Sequence, residues 1–244
     1  MPTFILVECF MRRCLNNFTL MPIIVLASSM FSFSSLAAES ICYGTTSNGK
    51  LENGVELPRS GPNFETYSTL ARLAGRTFVH STVEKIIVNA YGSLESEQPQ
   101  KVYKYAETGF EEGGQFKPHK THRNGLSVDF MTPVVDESGN SVHLPTHPFN
   151  KFGYNIEFDG DDRFEEYVID YVALAAHIVA LHKAALQEGQ EIWRVIFDPK
   201  LQPKLFETEY GEYLKEHIQF SKKRSWVRHD EHYHVDFKLP CKPL

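Results

Sequence analysis

The chain has no excess of positive charge and little cysteine. It carries 25 Lys and Arg residues against 31 Asp and Glu residues, which gives a formal net charge of −6, and it contains four cysteines among 244 residues. An acidic chain has no electrostatic attraction to the phosphates of DNA or RNA, so we predict no nucleic-acid partner. With so few cysteines, a scaffold built on many disulfides is excluded.

Several motifs of known enzyme classes are also missing. The sequence contains no G-x-S-x-G nucleophile motif, no H-E-x-x-H helix motif, and no ATP-binding or dinucleotide-binding glycine pattern. These absences argue against a serine hydrolase of the elbow type, against a metalloprotease that holds its ion on one helix, and against a nucleotide-dependent enzyme. Any catalytic group must therefore come from another arrangement of residues.

Long hydrophobic runs are absent except near the start of the chain. Arg12 and Arg13 precede the apolar stretch 18–31, and Ala37 and Ala38 follow it. A basic region, a short apolar core and small residues at the cleavage point are the layout of a secretory signal peptide. The apolar core is shorter than the roughly 20 residues that a transmembrane helix needs. We predict a signal peptide over 1–38, a mature domain over 39–244 in the periplasm and no membrane anchor after cleavage, with an uncleaved anchor as the alternative.

Two cysteines remain after the predicted cleavage. Cys42 and Cys241 lie at opposite ends of the mature chain, and neither has a second cysteine nearby with which to hold a metal ion. In an oxidising compartment, a disulfide between them is the simplest interpretation. Such a bond would close a loop of nearly the whole domain.

The order of hydrophobic patterns predicts the fold class. Residues 40–62 are rich in turn-forming residues and indicate an extended lead-in. Helices are predicted over 63–75, 163–189 and 205–218, strands over 84–94, 126–131, 191–198 and 232–239, and a loop-rich segment over 134–162. Helices and strands alternate irregularly, which indicates an α+β fold. We expect a single domain with a central, mainly antiparallel sheet flanked by helices and a metal site on the sheet face.

Polar residues with metal-binding side chains occupy one face of two predicted strands. In 232–239, His232, His234 and Asp236 alternate with apolar residues, and in 126–131 Asp129 does the same. His122 stands just before the second of these strands. If the strands are neighbours, His122, Asp129 and His234 supply the two imidazoles and one carboxylate that a catalytic zinc ion needs. His232 would then lie beside the ion as a general acid or base. Either half of this pattern alone is more often a surface or packing feature.

The complete pattern resembles a known family. The stretch "HKTHRNGLSVD" has the form H-x-x-H-x6-D and "HDEHYH" has the form H-x-x-H-x-H, which together place His119, His122, Asp129, His229, His232 and His234. These spacings are similar to those of the penicillin-insensitive murein endopeptidases, a group of zinc peptidases related to lysostaphin and the D-Ala-D-Ala carboxypeptidases.

The resemblance implies roles for each position. His122, Asp129 and His234 would bind zinc, His232 would be catalytic with His229 beside it, and His119 would line the site as an auxiliary residue. A second metal position of the family draws on an Asp and a His between the clusters. Here the stretch 158–164 offers Asp159 and Asp162 without a matching histidine, so we expect one zinc ion.

The implied substrate is the stem peptide of peptidoglycan, cleaved at its cross-links through a metal-activated water. Two alternatives stay open from the sequence. One is a carboxypeptidase that removes a terminal D-alanine with the same zinc site. The other is a module that binds metal or cell wall without catalysis, although that function would leave His232 without a purpose.

Overall fold

A computed structural model describes residues 38–223, 225 and 227–244 of the chain. Except for Ala38, the predicted signal peptide lies outside the described residues. The strands are β1 (Ile41–Thr45), β2 (Asn48–Glu52), β3 (Val55–Glu56), β4 (Phe64–Thr66), β5 (Phe78–Val79), β6 (Tyr103–Tyr105), β7 (Ser127–Met131), β8 (Val134–Val135), β9 (Ser141–Val142), β10 (Arg163–Phe164), β11 (Tyr167–Ile169), β12 (Glu191–Ile196) and β13 (His232–Lys238). The α-helices are α1 (Thr69–Leu73), α2 (Ser81–Glu97), α3 (Tyr171–Gln187), α4 (Gln202–Phe206) and α5 (Gly211–His217), and Pro148–Gly153 forms a 3₁₀ turn.

The central sheet has five strands in the order β12-β13-β7-β6-β4. Its pairs are antiparallel except for the parallel pair of β4 and β6. The predicted α+β fold with a mainly antiparallel central sheet is therefore confirmed. The decisive pair is β7 with β13, because its register sets Asp129 directly opposite His234.

Helices α2 and α3 pack against the apolar face of this sheet. His177 of α3 contacts the Tyr233 hydroxyl of β13 through its Nδ1, and its ring lies 4.8 Å from Phe130 of β7 and 4.9 Å from Tyr91 of α2. Burial lowers the pKa of His177 to about 3, so this ring stays neutral and packs like an aromatic residue. With one face covered by helices, the histidines and carboxylates of β7 and β13 collect on the opposite face.

One predicted strand is wrong. Residues 84–94 belong to helix α2, whose buried residues follow the helical spacing of Val83, Ile86, Ile87, Ala90 and Leu94. The β-branched residues in the middle of the segment suggested a strand. The helix forms because the 3.6-residue period buries one whole face, and His80 caps its first turn by accepting a hydrogen bond from the Thr82 amide.

Three predicted helices have different bounds. Helix α3 begins at Tyr171 instead of residue 163, because Asp170 caps the Ala173 amide and the residues before it form β10 and β11. The predicted helix over 205–218 is the end of α4 followed by α5. The helix predicted over 63–75 is shortened to α1, since its first residues form β4 at the edge of the sheet.

The predicted pairing of Cys42 with Cys241 is present, with a sulfur–sulfur distance of 2.05 Å. Cys42 lies in β1, and the backbone of the same strand bonds to Lys242 from both sides, so the two ends of the domain are held together by the disulfide and by hydrogen bonds. The Asn124 amide reaches the Cys241 sulfur at 3.7 Å. This connects the disulfide to the loop that carries His122.

We expect loss of the disulfide to lower the stability of the domain. Replacing both cysteines, Cys42→Ser with Cys241→Ser, should reduce the free energy of unfolding by about 2–5 kcal/mol, because the unfolded chain is no longer closed into a long loop. Urea unfolding followed by circular dichroism measures this difference, and chemical reduction of the unmodified protein should give the same decrease. Equal unfolding free energies for the two proteins would contradict the prediction.

Among the residues that the structure describes, no helix has both the length and the apolarity needed to cross a bilayer.

Candidate metal centre

The site begins with the register of β7 and β13. Asp129 Oδ1 lies 2.8 Å from Nδ1 of His234, and both side chains are buried. The two residues are 105 positions apart in the sequence. Their meeting is the spatial condition on which the predicted site depended, and the structure meets it.

His122 joins this pair from the loop before β7. Its Nδ1 lies 3.0 Å from the Thr108 carbonyl oxygen and donates to it, which leaves the lone pair of Nε2 directed elsewhere. That Nε2 is fully buried, makes no hydrogen bond, and stands 3.3 Å from Asp129 Oδ1. A buried imidazole nitrogen without a hydrogen-bond partner, beside a carboxylate, fits a metal ligand. The backbone of His122 has a φ of 66°, a left-handed conformation that is uncommon outside glycine.

A second carboxylate, that of Asp236, contacts the ring nitrogen of His234 that faces away from Asp129. The Nε2 of His234 lies 2.8 Å from Oδ1 of Asp236. Asp236 also accepts hydrogen bonds from Ser127 at Oδ1 and from Arg194 at Oδ2. A carboxylate on the far nitrogen of a ligand histidine fixes the ring and increases its basicity. Burial alone would lower the pKa of His234, but the flanking Asp236 and Asp129 raise it to about 10. Both ring nitrogens of His234 therefore face a carboxylate, and the negative charge around the ring favours the binding of a cation.

His119 lies at the edge of the same centre. Its Nδ1 is 3.8 Å from Asp129 Oδ2, and its Nε2 is 2.6 Å from Glu107 Oε2. His119, His122 and Asp129 each offer a ligand atom within 4.8 Å of the others, so this group could also hold a metal ion. The structure thus places His119 next to His122 and Asp129, two of the predicted ligands.

His232 also faces Asp129. Its Nε2 lies 3.8 Å from Asp129 Oδ2, while its Nδ1 is 2.7 Å from Oε1 of Glu231. Burial lowers the pKa of His232 to about 4, despite the opposing effect of Asp129, so the ring is neutral near pH 7. The ring of His229 is 4.6 Å from that of His232, and burial lowers its pKa to about 3.

A cavity of about 440 Å³ opens onto these residues. His119, His229 and His232 line it, together with Glu107, Tyr154 and Lys151. This volume is within the range of sites that bind small ligands or short peptide segments. The three histidines are therefore accessible to a substrate that enters the cavity.

Two residues in contact with the histidine and aspartate group were not found by sequence reasoning. Glu107 is held by Arg76, by the Tyr67 hydroxyl at 3.0 Å and by His119; despite burial, His119 and Arg76 lower its pKa to about 2. The Tyr154 hydroxyl donates to Asp129 Oδ2 at 3.0 Å. Both come from loops outside the histidine clusters, and only their polar character within long loop segments offered a signal.

The residues considered for a second ion are occupied by other contacts. Asp162 forms an ion pair with Lys204, and Asp159 accepts the backbone amides of Asp161 and Arg163 in a turn. Within the described ranges, the group that could hold a metal is the one around Asp129.

The chain is similar to a described family of proteins. The sequence model of the penicillin-insensitive murein endopeptidases matches residues 42–243, which is nearly the whole described domain. No curated protein matches the chain. The match includes both histidine clusters and the two strands that bring them together. The chain therefore belongs to the penicillin-insensitive murein endopeptidase family, and it is a metallopeptidase that hydrolyses peptidoglycan.

Proposed function

We propose that the protein is a zinc-dependent endopeptidase that hydrolyses the peptide cross-links of murein in the periplasm. The observation that carries the proposal is the register of β7 and β13, which sets Asp129 Oδ1 2.8 Å from His234 Nδ1 and 3.3 Å from His122 Nε2. Family membership supports the substrate class, and the buried nitrogen of His122 without a hydrogen-bond partner supports the metal.

The proposed ligands of a single zinc ion are His122 through Nε2, Asp129, and His234 through Nδ1. One carboxylate and two imidazoles suit zinc and would leave the centre with a net positive charge, with His234 releasing its Nδ1 proton when the ion binds. His119 remains auxiliary in this proposal. Its Nε2 contacts Glu107, and its Nδ1 is 3.8 Å from Asp129, farther than the nitrogens of His122 and His234 that face the same carboxylate. When bound, zinc lowers the pKa of a water molecule to about 7 and polarises the carbonyl of the scissile amide.

His232 is the proposed catalytic residue. We assign the proton of the 2.7 Å contact between His232 Nδ1 and Glu231 Oε1 to Nδ1, which leaves Nε2, facing Asp129, as a proton acceptor. Nε2 can take a proton from the attacking water and return it to the departing amine. His229 lines the same cavity beside His232, where we expect it to help bind the substrate or the developing oxyanion.

Asp129 has a second function in this proposal. Its Oδ1 faces the two ligand histidines, while its Oδ2 accepts from Tyr154 and lies toward His119 and His232. Tyr154 and the histidines therefore hold the carboxylate in one orientation. Because these groups are buried, water competes weakly for them.

The proposed location rests on the N-terminal pattern. Residues 1–38 would be removed as a secretory signal and 39–244 would act as the zinc peptidase domain on the stem peptides outside the cytoplasm. The Cys42–Cys241 disulfide is consistent with an oxidising compartment. N-terminal sequencing of the protein recovered from the periplasm would identify the cleavage point.

The test is digestion of purified, cross-linked muropeptide dimers. Zinc-loaded protein should convert dimers to monomers, a chelator should stop the conversion, and added zinc should restore it. Mass spectrometry of the products separates the alternatives: an endopeptidase splits dimers, whereas a carboxypeptidase releases D-alanine and leaves the cross-link intact. Dimers that bind but survive incubation with the zinc-loaded protein would favour a non-catalytic module and refute the proposal.

A further inference from the structure

A lysine stands at the wall of the catalytic cavity without a charge partner. Lys151 lines the same cavity as His119, His229 and His232, and its side chain is exposed. Within the described part of the chain, its ammonium group forms no ion pair or hydrogen bond. Lys151 is also the one permanent cation among the described residues that line the cavity.

The carboxylates of the cavity wall are committed to other groups. Glu107 is paired with Arg76 and His119, and Oε1 of Glu231 lies 2.7 Å from Nδ1 of His232. Arg228, next to His229, is bound to Asp198 at 2.9 Å and to the Phe158 carbonyl oxygen at 2.6 Å. The positive charge of Lys151 is therefore left for a ligand.

The backbone holds Lys151 in place at some cost. Lys151 and Phe152 have φ values of 51° and 57°, so two consecutive residues other than glycine adopt the left-handed conformation. Such backbone strain is characteristic of functional sites. The Asn150 side chain stabilises the turn, because it accepts the amides of His147 and Gly153 and donates to the Pro145 carbonyl.

The same turn connects Lys151 to the metal centre. The Tyr154 amide lies 3.4 Å from the Lys151 carbonyl oxygen, which closes a tight turn between these residues. In a turn of this kind the two Cα atoms lie within about 7 Å of each other. Tyr154 lines the same cavity and its hydroxyl donates to Asp129, so the turn that carries Lys151 also carries a residue that contacts the metal centre.

We propose that Lys151 determines specificity by binding a free carboxylate of the substrate, that of the diamino acid whose amine forms the cross-link. The inference rests on the proposed endopeptidase function. In a diamino acid whose cross-linking amine and free carboxylate share one carbon, such as diaminopimelate, this carboxylate lies next to the cross-linking amide. A substrate bound with that amide in the cavity would bring the carboxylate into the same cavity as Lys151. A Lys ammonium in contact with it would form a charge-assisted hydrogen bond.

The experiment compares two substrates and three proteins. The substrates are muropeptide dimers with this carboxylate free and the same dimers with it converted to a carboxamide. For the free carboxylate, Lys151→Met should lower kcat/KM by about 10- to 100-fold, which corresponds to one hydrogen bond to a charged group. For the carboxamide, the same variant should change kcat/KM by less than about threefold. Lys151→Arg, which keeps the charge, should recover most of the activity.

A control and a binding measurement keep the outcomes distinct. Lys85→Met removes an exposed lysine of α2 outside the cavity and should leave kcat/KM unchanged for both substrates. Calorimetry measures how tightly the metal-stripped proteins bind uncleaved dimers. Lys151→Met should bind the dimers with the free carboxylate more weakly than the unmodified protein does, and the carboxamide dimers about equally. If dimers bind in this pattern but are never cut, the endopeptidase proposal fails and the role of Lys151 stands. If the unmodified protein cuts and binds both substrates equally well, the role of Lys151 is refuted.

Discussion

Asp129→Asn should abolish zinc binding and, with it, hydrolysis of muropeptide dimers. The substitution keeps the shape of the side chain but removes the carboxylate charge that both predicted ligand histidines face. Loss of a carboxylate that only orients a ligand weakens metal binding by about 10- to 100-fold, so removal of the ligand charge itself should exceed about 100-fold. Zinc content measured by elemental analysis after dialysis should fall from one ion per chain to almost none.

The matched control for this change is Asp161→Asn. Asp161 is exposed and lies in a surface turn, so its replacement should alter neither zinc content nor activity. Circular dichroism of both variants should match that of the unmodified protein, which would separate loss of the ion from loss of the fold. A dialysed Asp129→Asn protein that still holds one zinc ion per chain would refute the proposed ligand set.

His232→Ala should leave zinc bound but lower kcat/KM by about 100- to 10,000-fold, the contribution of a well-placed general acid or base. The reason is geometric. His232 Nε2 is 3.8 Å from Asp129 Oδ2, and its Nδ1 is held by Glu231, so the ring lies beside the ligand group. Steady-state kinetics on dimers, together with zinc analysis of the same samples, measures both effects.

The control is another histidine replacement away from the cavity. His217 lies on α5 with a side chain that is 39% exposed, and His217→Ala should leave both zinc content and kinetics unchanged. Two results would contradict the assignment of His232. Unchanged activity would show that proton transfer does not use this ring, and loss of zinc would show that His232 is itself a ligand.

The prediction of the fold from sequence succeeded where apolar alternation and strand length agreed. Strands β7, β12 and β13 were predicted nearly at their observed bounds, because their sequences are short and rich in apolar residues at the spacing of a strand. The segment of α2 was misinterpreted, since Ile86, Ile87 and Val88 suggested a strand. Only the packing of the whole helix face against α3 distinguishes the two periods, and this packing involves residues distant in the sequence.

For the site, the residue types and spacings identified the six cluster positions, and the structure brings all of them around Asp129. The residues that surround these six positions could not be predicted from the sequence. Glu107, Tyr154 and Lys151 occupy loops whose sequences have no periodic pattern. Glu107 and Tyr154 become informative through contacts with residues farther along the chain, and Lys151 through the cavity that it lines with His229 and His232.

By itself, the sequence determined which groups are available: two imidazole clusters, one carboxylate at the correct spacing and a pair of cysteines. These are local properties, since alternation along a strand decides which side chains share a face. The tertiary structure decided what they do together. The antiparallel register brings Asp129 to His234, the Thr108 carbonyl sets the tautomer of His122, and a strained turn holds Lys151 at the cavity. Distances of this kind depend on how the whole chain packs, which no local pattern specifies.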